Sequence, residues 1–223
     1  TGGLSNPERD LTAVTVVELD LSLLGEDLVG KPIYKVVNRQ AWQGERHSTL
    51  YARLLRLAER WQPEKIVVDA SGVGAGVGSF LRDKLGERVI ALQFTRLLKS
   101  RLGWGFLAVV DTGRFQDFSA VSYPEQWQAN PLLGQMASEQ DRLQALFYRQ
   151  LAGLRAEVSP GPERLLRWSV PEGTRDPEGG MLHDDLALSA AMCAVLDEQS
   201  WRWSSPSVVI PASDPILEMD GGF

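Results

Sequence analysis

The pattern that organises this chain is Lys65-Ile66-Val67-Val68-Asp69, followed by glycines at 72, 74, 76 and 78. Three apolar β-formers in a row, without alternation, predict a strand buried on both faces. The strand ends on a carboxylate and a Gly-rich turn. Residues 77–85 then carry the apolar spacing of a helix, so Asp69 is expected at the carboxyl edge of a central strand, where ligands of α/β sheets bind.

Around this unit the alternation of apolar and polar positions lays out the remaining elements. Residues 11–19, rich in Val and Thr, and 33–37 read as neighbouring strands joined by a loop with Gly25 and Gly30 as breakers. Leu50, Leu54, Leu57, Ala58 and Trp61 form one stripe of an amphipathic helix, with Arg53, Arg56 and Arg60 opposite. A strand is predicted over 88–94. A helix follows over 95–110, weakened by Gly103 and Gly105, which mark a kink or a close approach. Trp104 between them is expected in the core. Residues 114–118 suggest a short edge strand, and 119–135 a polar, Pro-containing loop. Ser138-Glu139-Gln140-Asp141 is a capping box before an amphipathic helix. Residues 154–159 and 164–170 flank Pro160-Gly161-Pro162-Glu163 as a hairpin. From Leu186 to Leu196 the only polar side chain is Ser189, which predicts a buried helix.

The sequence has 223 residues, 43% of them hydrophobic and 23% charged, which suits one soluble domain, 1–199, followed by a tail, 200–223. A formal charge of −6 argues against a protein that coats DNA nonspecifically, since phosphate neutralisation needs clustered Lys and Arg. The most basic stretch, Arg96, Lys99, Arg101 and Arg114, is a candidate phosphate track, and Arg164 and Arg167 of the hairpin extend it. The bland alternative for each is a solvated surface charge. A single cysteine, Cys193, excludes an internal disulfide and suits a reducing compartment. Two distant histidines give no zinc pattern, and neither a signal peptide nor a membrane span is expected.

The candidate chemistry lies in three carboxylates. Asp184 and Asp185 open the apolar helix, and adjacent helical residues diverge by roughly 100°, so both cannot cap the same backbone N–H groups. At least one is free to face the sheet and meet Asp69. Converging carboxylates repel unless a cation neutralises them. A hard divalent ion with oxygen ligands answers that need, and Mg²⁺ or Mn²⁺ so bound serves phosphoryl chemistry. The structural alternative makes Asp69 a turn cap and Asp184 a helix cap. A further alternative is a nucleotide-binding α/β domain using the 72–78 turn, although the glycine spacing matches neither common phosphate-loop pattern.

Asp10-Leu11-Thr12-Ala13, Trp42 and Gly44, Val68-Asp69-Ala70-Ser71-Gly72, Lys99, Gly113-Arg114-Phe115 and His183-Asp184-Asp185-Leu186 occur in that order. The set resembles the C-terminal nuclease domain of bacteriophage terminase large subunits over residues 1–199. The resemblance implies an α/β, ribonuclease-H-like fold: an antiparallel meander, then parallel strands, with helices on both faces. It further implies an endonuclease that cuts double-stranded DNA during genome packaging in the host cytoplasm. Two Mg²⁺ or Mn²⁺ ions would sit in the complete site, with Asp69, Asp184 and Asp185 as catalytic metal ligands. The implied partners are the terminase ATPase domain, the small terminase and the portal. The family's first catalytic aspartate ends a strand preceding the turn that Thr1-Gly2-Gly3 resembles, so two of three carboxylate positions are expected here. Asp10 reads as a turn residue. Weak or absent activity is therefore expected, as is a gap or foreign strand where the first strand belongs; a noncatalytic docking remnant stays open as a third reading.

Overall fold

A computed structural model describes residues 11–25, 30–72, 74–119, 130–177 and 179–201. The chain is mixed α/β. Strand β1 (Thr12–Asp20) pairs antiparallel with β2 (Ile33–Trp42) through a bulge between Val16 and Val17, and β2 continues in parallel to the two-residue β5 (Phe115–Gln116). Strand β3 (Ile66–Asp69) pairs in parallel with β4 (Val89–Leu92). Helix α1 (His47–Trp61) leads into β3, α2 (Gly74–Leu85) crosses over to β4, and α3 (Arg96–Asp111) crosses from β4 to β5.

Helices cover both faces of the β3–β4 pair, as the alternation of side chains dictates. Ile66 and Val68 pack with Leu50, Val77 and Leu81 of α1 and α2. Val67 and Ile90 point the other way, toward Val109 of α3 and Cys193 and Leu196. A short helix, α4 (Pro131–Met136), and a longer one, α5 (Glu139–Gly153), precede the hairpin of β6 (Arg155–Val158) and β7 (Leu166–Ser169). The capping box forms as expected, with Ser138 and Asp141 exchanging side-chain and backbone hydrogen bonds.

The expected antiparallel meander followed by parallel strands, with helices on both faces, is present, and three finer expectations need correction. Among the described residues β1–β2–β5, β3–β4 and β6–β7 are separate. Consequently β3 is half-buried rather than buried, because one of its edges faces a cavity instead of a neighbouring strand. The apolar segment after Asp184 is not one α-helix; α6 (Asp185–Ala191) gives way to a 3-10 segment, Met192–Glu198. An all-round apolar run does not distinguish an i+4 ladder from an i+3 one.

The third correction concerns Trp104 of α3, a helix continuous through both glycines, of which Gly103 marks the close approach, one of the two expected alternatives. A Cβ on Gly103 would lie 2.5 Å from the Trp168 indole nitrogen, so that glycine admits the hairpin rather than kinking the helix. Trp168 anchors β7 there, 8% exposed, and its Nε1 donates to the Lys99 carbonyl at 2.8 Å. Trp104 lies on the outer side, 45% exposed, and is not a core residue. Asp10, Thr1 to Gly3, most of the 119–135 loop and nearly all of the 200–223 tail fall outside the described residues.

Candidate metal centre

Asp69 is positioned by the turn that follows it. Its Oδ1 accepts the Ser71 backbone N–H at 2.8 Å, and the Ser71 hydroxyl in turn accepts the Phe94 N–H at 2.6 Å, tying the ends of β3 and β4 together. The glycines serve this packing. A Cβ on Gly74 would sit 2.3 Å from the Asp69 carbonyl oxygen, and one on Gly78 would sit 2.9 Å from the Ala70 Cβ. Gly72 holds φ +49°, which favours a residue without a Cβ. Gly74 and Gly78 thus let α2 close on the end of β3.

The start of α6 is built by a residue that sequence reading missed. Gln150 of α5 is 1% exposed, and its Oε1 accepts the backbone N–H groups of Leu186 at 2.8 Å and Ala187 at 3.2 Å. A helix N-terminus leaves four N–H groups without intrahelical partners, and Gln150 satisfies two of them. Asp184 stands at the N-cap position yet makes no capping hydrogen bond. The capping role that would explain its carboxylate away is therefore filled by Gln150, 36 positions upstream of Leu186 in the chain. No local signal marks a cap supplied from another helix.

The two aspartates diverge as adjacent residues must. Asp185 Oδ2 accepts the Leu11 N–H at 3.0 Å, fixing the start of β1 against α6. Asp185 and Asp69 line one and the same cavity, between β1 and β3. Asp184 Oδ2 lies 3.4 Å from Lys99 Nζ, and Lys99 also lies over the Trp168 ring, 5.2 Å from its centroid. Lys99 thus offsets carboxylate charge at this edge.

Carboxylate oxygens are the donors a hard divalent cation takes, and Asp69 with Asp185 fits that chemistry. The set is short of complete: among the described residues no three acidic, His or Cys side chains form a group able to hold an ion, Asp69, Asp184 and Asp185 included.

The six basic residues of the expected phosphate track part company. Arg96, Arg164 and Arg167 are exposed, and Arg101 is exposed with Glu198 at 2.7 Å. Arg114 does not belong with them. It is 4% exposed, donates to both oxygens of Asp197 at 2.8 Å and to the Pro32 carbonyl at 3.0 Å, and so clamps β5 to the 3-10 segment. The Asp197 carboxylate beside it holds the guanidinium pKa above its ordinary value. Among the described residues no helix is long and apolar enough to cross a membrane.

The sequence matches no protein-family model and no curated protein. Two solved structures are similar in fold: the large terminase nuclease from thermophilic phage G20c with bound cobalt, and the same nuclease with bound magnesium. Each is 16% identical to this chain at a TM-score of 0.49, over 86% of this chain and 92% of theirs.

Proposed function

We propose that this chain is a metal-dependent endonuclease domain of the large-terminase type, with a ribonuclease-H-like arrangement, acting on double-stranded DNA during genome packaging in a bacterial host. One observation supports this reading above the others. Asp69, from the end of a strand, and Asp185, from the start of a helix more than a hundred positions away, line one cavity, while Gln150 relieves Asp184 of helix capping.

The family resemblance gives the ion to Asp69 with Asp184, and the second ion or a water to Asp185. Asp185 is the one that lines the cavity with Asp69. In this reading, therefore, Asp69 and Asp185 would hold a Mg²⁺ or Mn²⁺ ion, and Asp184 would join a second ion or orient a water. A divalent ion supplies an activated water and stabilises the leaving oxygen of a phosphodiester. The protein's own residues do the positioning. Ser71 N–H fixes one Asp69 oxygen, Leu11 N–H fixes one Asp185 oxygen, and Lys99 holds Asp184. Exposed Arg96, Arg101, Arg164 and Arg167 would meet the DNA backbone. An ATPase domain, a small terminase and a portal would be its partners in packaging.

With two carboxylates on the cavity and, among the described residues, no group of three acidic, His or Cys side chains able to hold an ion, activity of this polypeptide is expected to be weak or nil, with at most one ion bound tightly. Plasmid incubated with the chain in Mn²⁺, alongside chelator and Asp69→Asn controls, tests both statements. Nicking that needs metal and disappears in Asp69→Asn supports the nuclease site; if it is robust, it overturns the expected weakness. Nicking unchanged by the substitution removes the site.

A further inference from the structure

The hairpin of β6 and β7 rests on α3 along one edge and is open along the other. Ser159 N–H donates to the Leu165 carbonyl at 2.8 Å, and the register continues with Val158 opposite Leu166, Glu157 opposite Arg167 and Arg155 opposite Ser169. Backbone groups alternate sides along an antiparallel strand, so those of Arg155 and Glu157 face β7, while those of Ala156 and Val158 point away from it. The same alternation turns the Leu166 N–H outward on the other side, where it donates to the Ser100 hydroxyl of α3 at 2.8 Å. Among the described residues nothing comparable covers β6: no strand pairs with its outer edge, and all four of its residues are exposed.

The side chains of that edge complement a copy of themselves. An exposed edge is a template for pairing with another chain, and charge of one sign is a common way to block it. Here the charges have opposite signs and bracket Ala156. Two β6 strands related by a two-fold axis pair antiparallel, and because opposed residues must both face outward or both inward, the axis passes through a residue. An axis at Arg155 or at Glu157 sets like charges directly opposite, which is destabilising. An axis at Val158 leaves Arg155 and Ala156 beyond the end of the other strand. An axis at Ala156 sets Arg155 opposite Glu157 in both directions and Val158 opposite Leu154, so charge meets countercharge and apolar meets apolar. The outward N–H and C=O groups of the two Ala156 residues then face each other and exchange both bonds.

We propose that β6 is a docking edge for a second copy of this chain, paired antiparallel about Ala156 so that two hairpins join into one four-stranded sheet across the two-fold axis. On the outer face of that sheet Glu157 stands between Arg167 of its own hairpin and the partner's Arg155, whereas in a lone hairpin Arg155 faces uncharged Ser169. On the inner face Val158, 44% exposed in the single chain, gains the partner's Leu154 as a neighbour. A two-stranded ribbon is marginal by itself, and added strands stabilise it. Four residues a side make a small interface, so the dimer is transient and forms at high protein concentration. The docking edge stands independently of the nuclease reading.

Sedimentation equilibrium of the whole chain, from micromolar to near-millimolar concentration, tests the proposal. The parent dimerises at the upper end. Arg155→Glu and Glu157→Arg each set like charges opposite across the axis and weaken association at least about tenfold. An equimolar mixture of the two variants associates again, because each then meets its countercharge in the other. Ala156→Pro removes an N–H that β7 does not use, so the chain keeps its circular dichroism spectrum and stays monomeric. Diamide oxidation of Ala156→Cys yields a covalent dimer, since opposed Cα atoms on the axis lie about 5.5 Å apart, and Val158→Cys yields none. A parent that is monomeric throughout overturns the proposal, whether its edge is free or covered by another segment. So does a dimer that Ala156→Pro leaves unchanged, which forms through another face, and so does a mixture of the charge variants that associates no better than either alone.

Discussion

Replacing Gln150 with Leu isolates the contact that builds the start of α6. The side chain is 1% exposed, and Leu186 and Ala187, whose N–H groups it accepts, are 0% and 1% exposed. Leucine fills a similar volume without an acceptor, so two donors lose their partner where water does not reach. Each buried donor left unsatisfied costs about 1–3 kcal/mol, which gives a destabilisation of about 2–6 kcal/mol for the pair. For a chain of this size that corresponds to a fall in Tm of roughly 5–20 °C. Urea unfolding followed by circular dichroism measures it, with an unchanged slope showing that the folded state keeps its compactness. Gln150→Glu keeps an acceptor at the same point and places negative charge at a helix N-terminus, so it recovers part of the loss. A Gln150→Leu chain within about 0.5 kcal/mol of the parent would refute the reasoning, because surface-like tolerance is incompatible with two orphaned buried donors.

Arg39, 0% exposed, donates to both oxygens of Asp117 at 2.9 and 3.0 Å and lies over the Phe147 ring, 4.2 Å from its centroid. Arg39→Ala leaves a buried carboxylate uncompensated and is expected to cost about 3–5 kcal/mol in the same assay, and Arg39→Lys, without the planar fork, does not restore it. Gly74→Ala puts a Cβ against the Asp69 carbonyl oxygen and is expected to cost ~1–3 kcal/mol and displace the end of β3, read as faster exchange of the Ala70 amide. Burial pushes the Cys193 thiol up, and burial with the Asp197 hydrogen bond does the same for the Tyr34 hydroxyl. Folded values raised above the unfolded ones contribute stability below the unfolded pKa and lose it as pH rises. Stability therefore declines above about pH 8.5 through Cys193, and Cys193→Ala flattens that part of the unfolding profile.

Much of the architecture was legible in the sequence because it is local. The unbroken Ile66-Val67-Val68 run, the stripe from Leu50 to Trp61 and the Ser138 to Asp141 box each carry their instruction within one element. What was illegible is tertiary. Nothing near Gln150 announces that it caps a helix 36 positions later, and nothing near Arg114 announces Asp197. Arg39 sits in a strand as a charge that should be solvated, and it is buried because Asp117 and two aromatic rings meet it there. Trp104, expected in the core, lies outside it, because Gly103 opens the helix surface to Trp168 instead, a fact of surface shape rather than periodicity. At the candidate site, the sequence pointed to Asp69 and the 184/185 pair, while their holders Ser71, Leu11 and Gln150 needed coordinates.

The central claim is that Asp69 and Asp185 share one cation at the carboxyl edge of β3. Titration of the whole chain with Mn²⁺, followed by the electron paramagnetic resonance signal of the free ion, tests it without requiring any turnover. The account predicts one tight ion per chain and no second, lost in Asp69→Asn and in Asp185→Asn while each variant unfolds at a concentration of urea close to the parent's. A parent that binds none, binding that persists undiminished in both variants, or two tight ions in the parent, would contradict it.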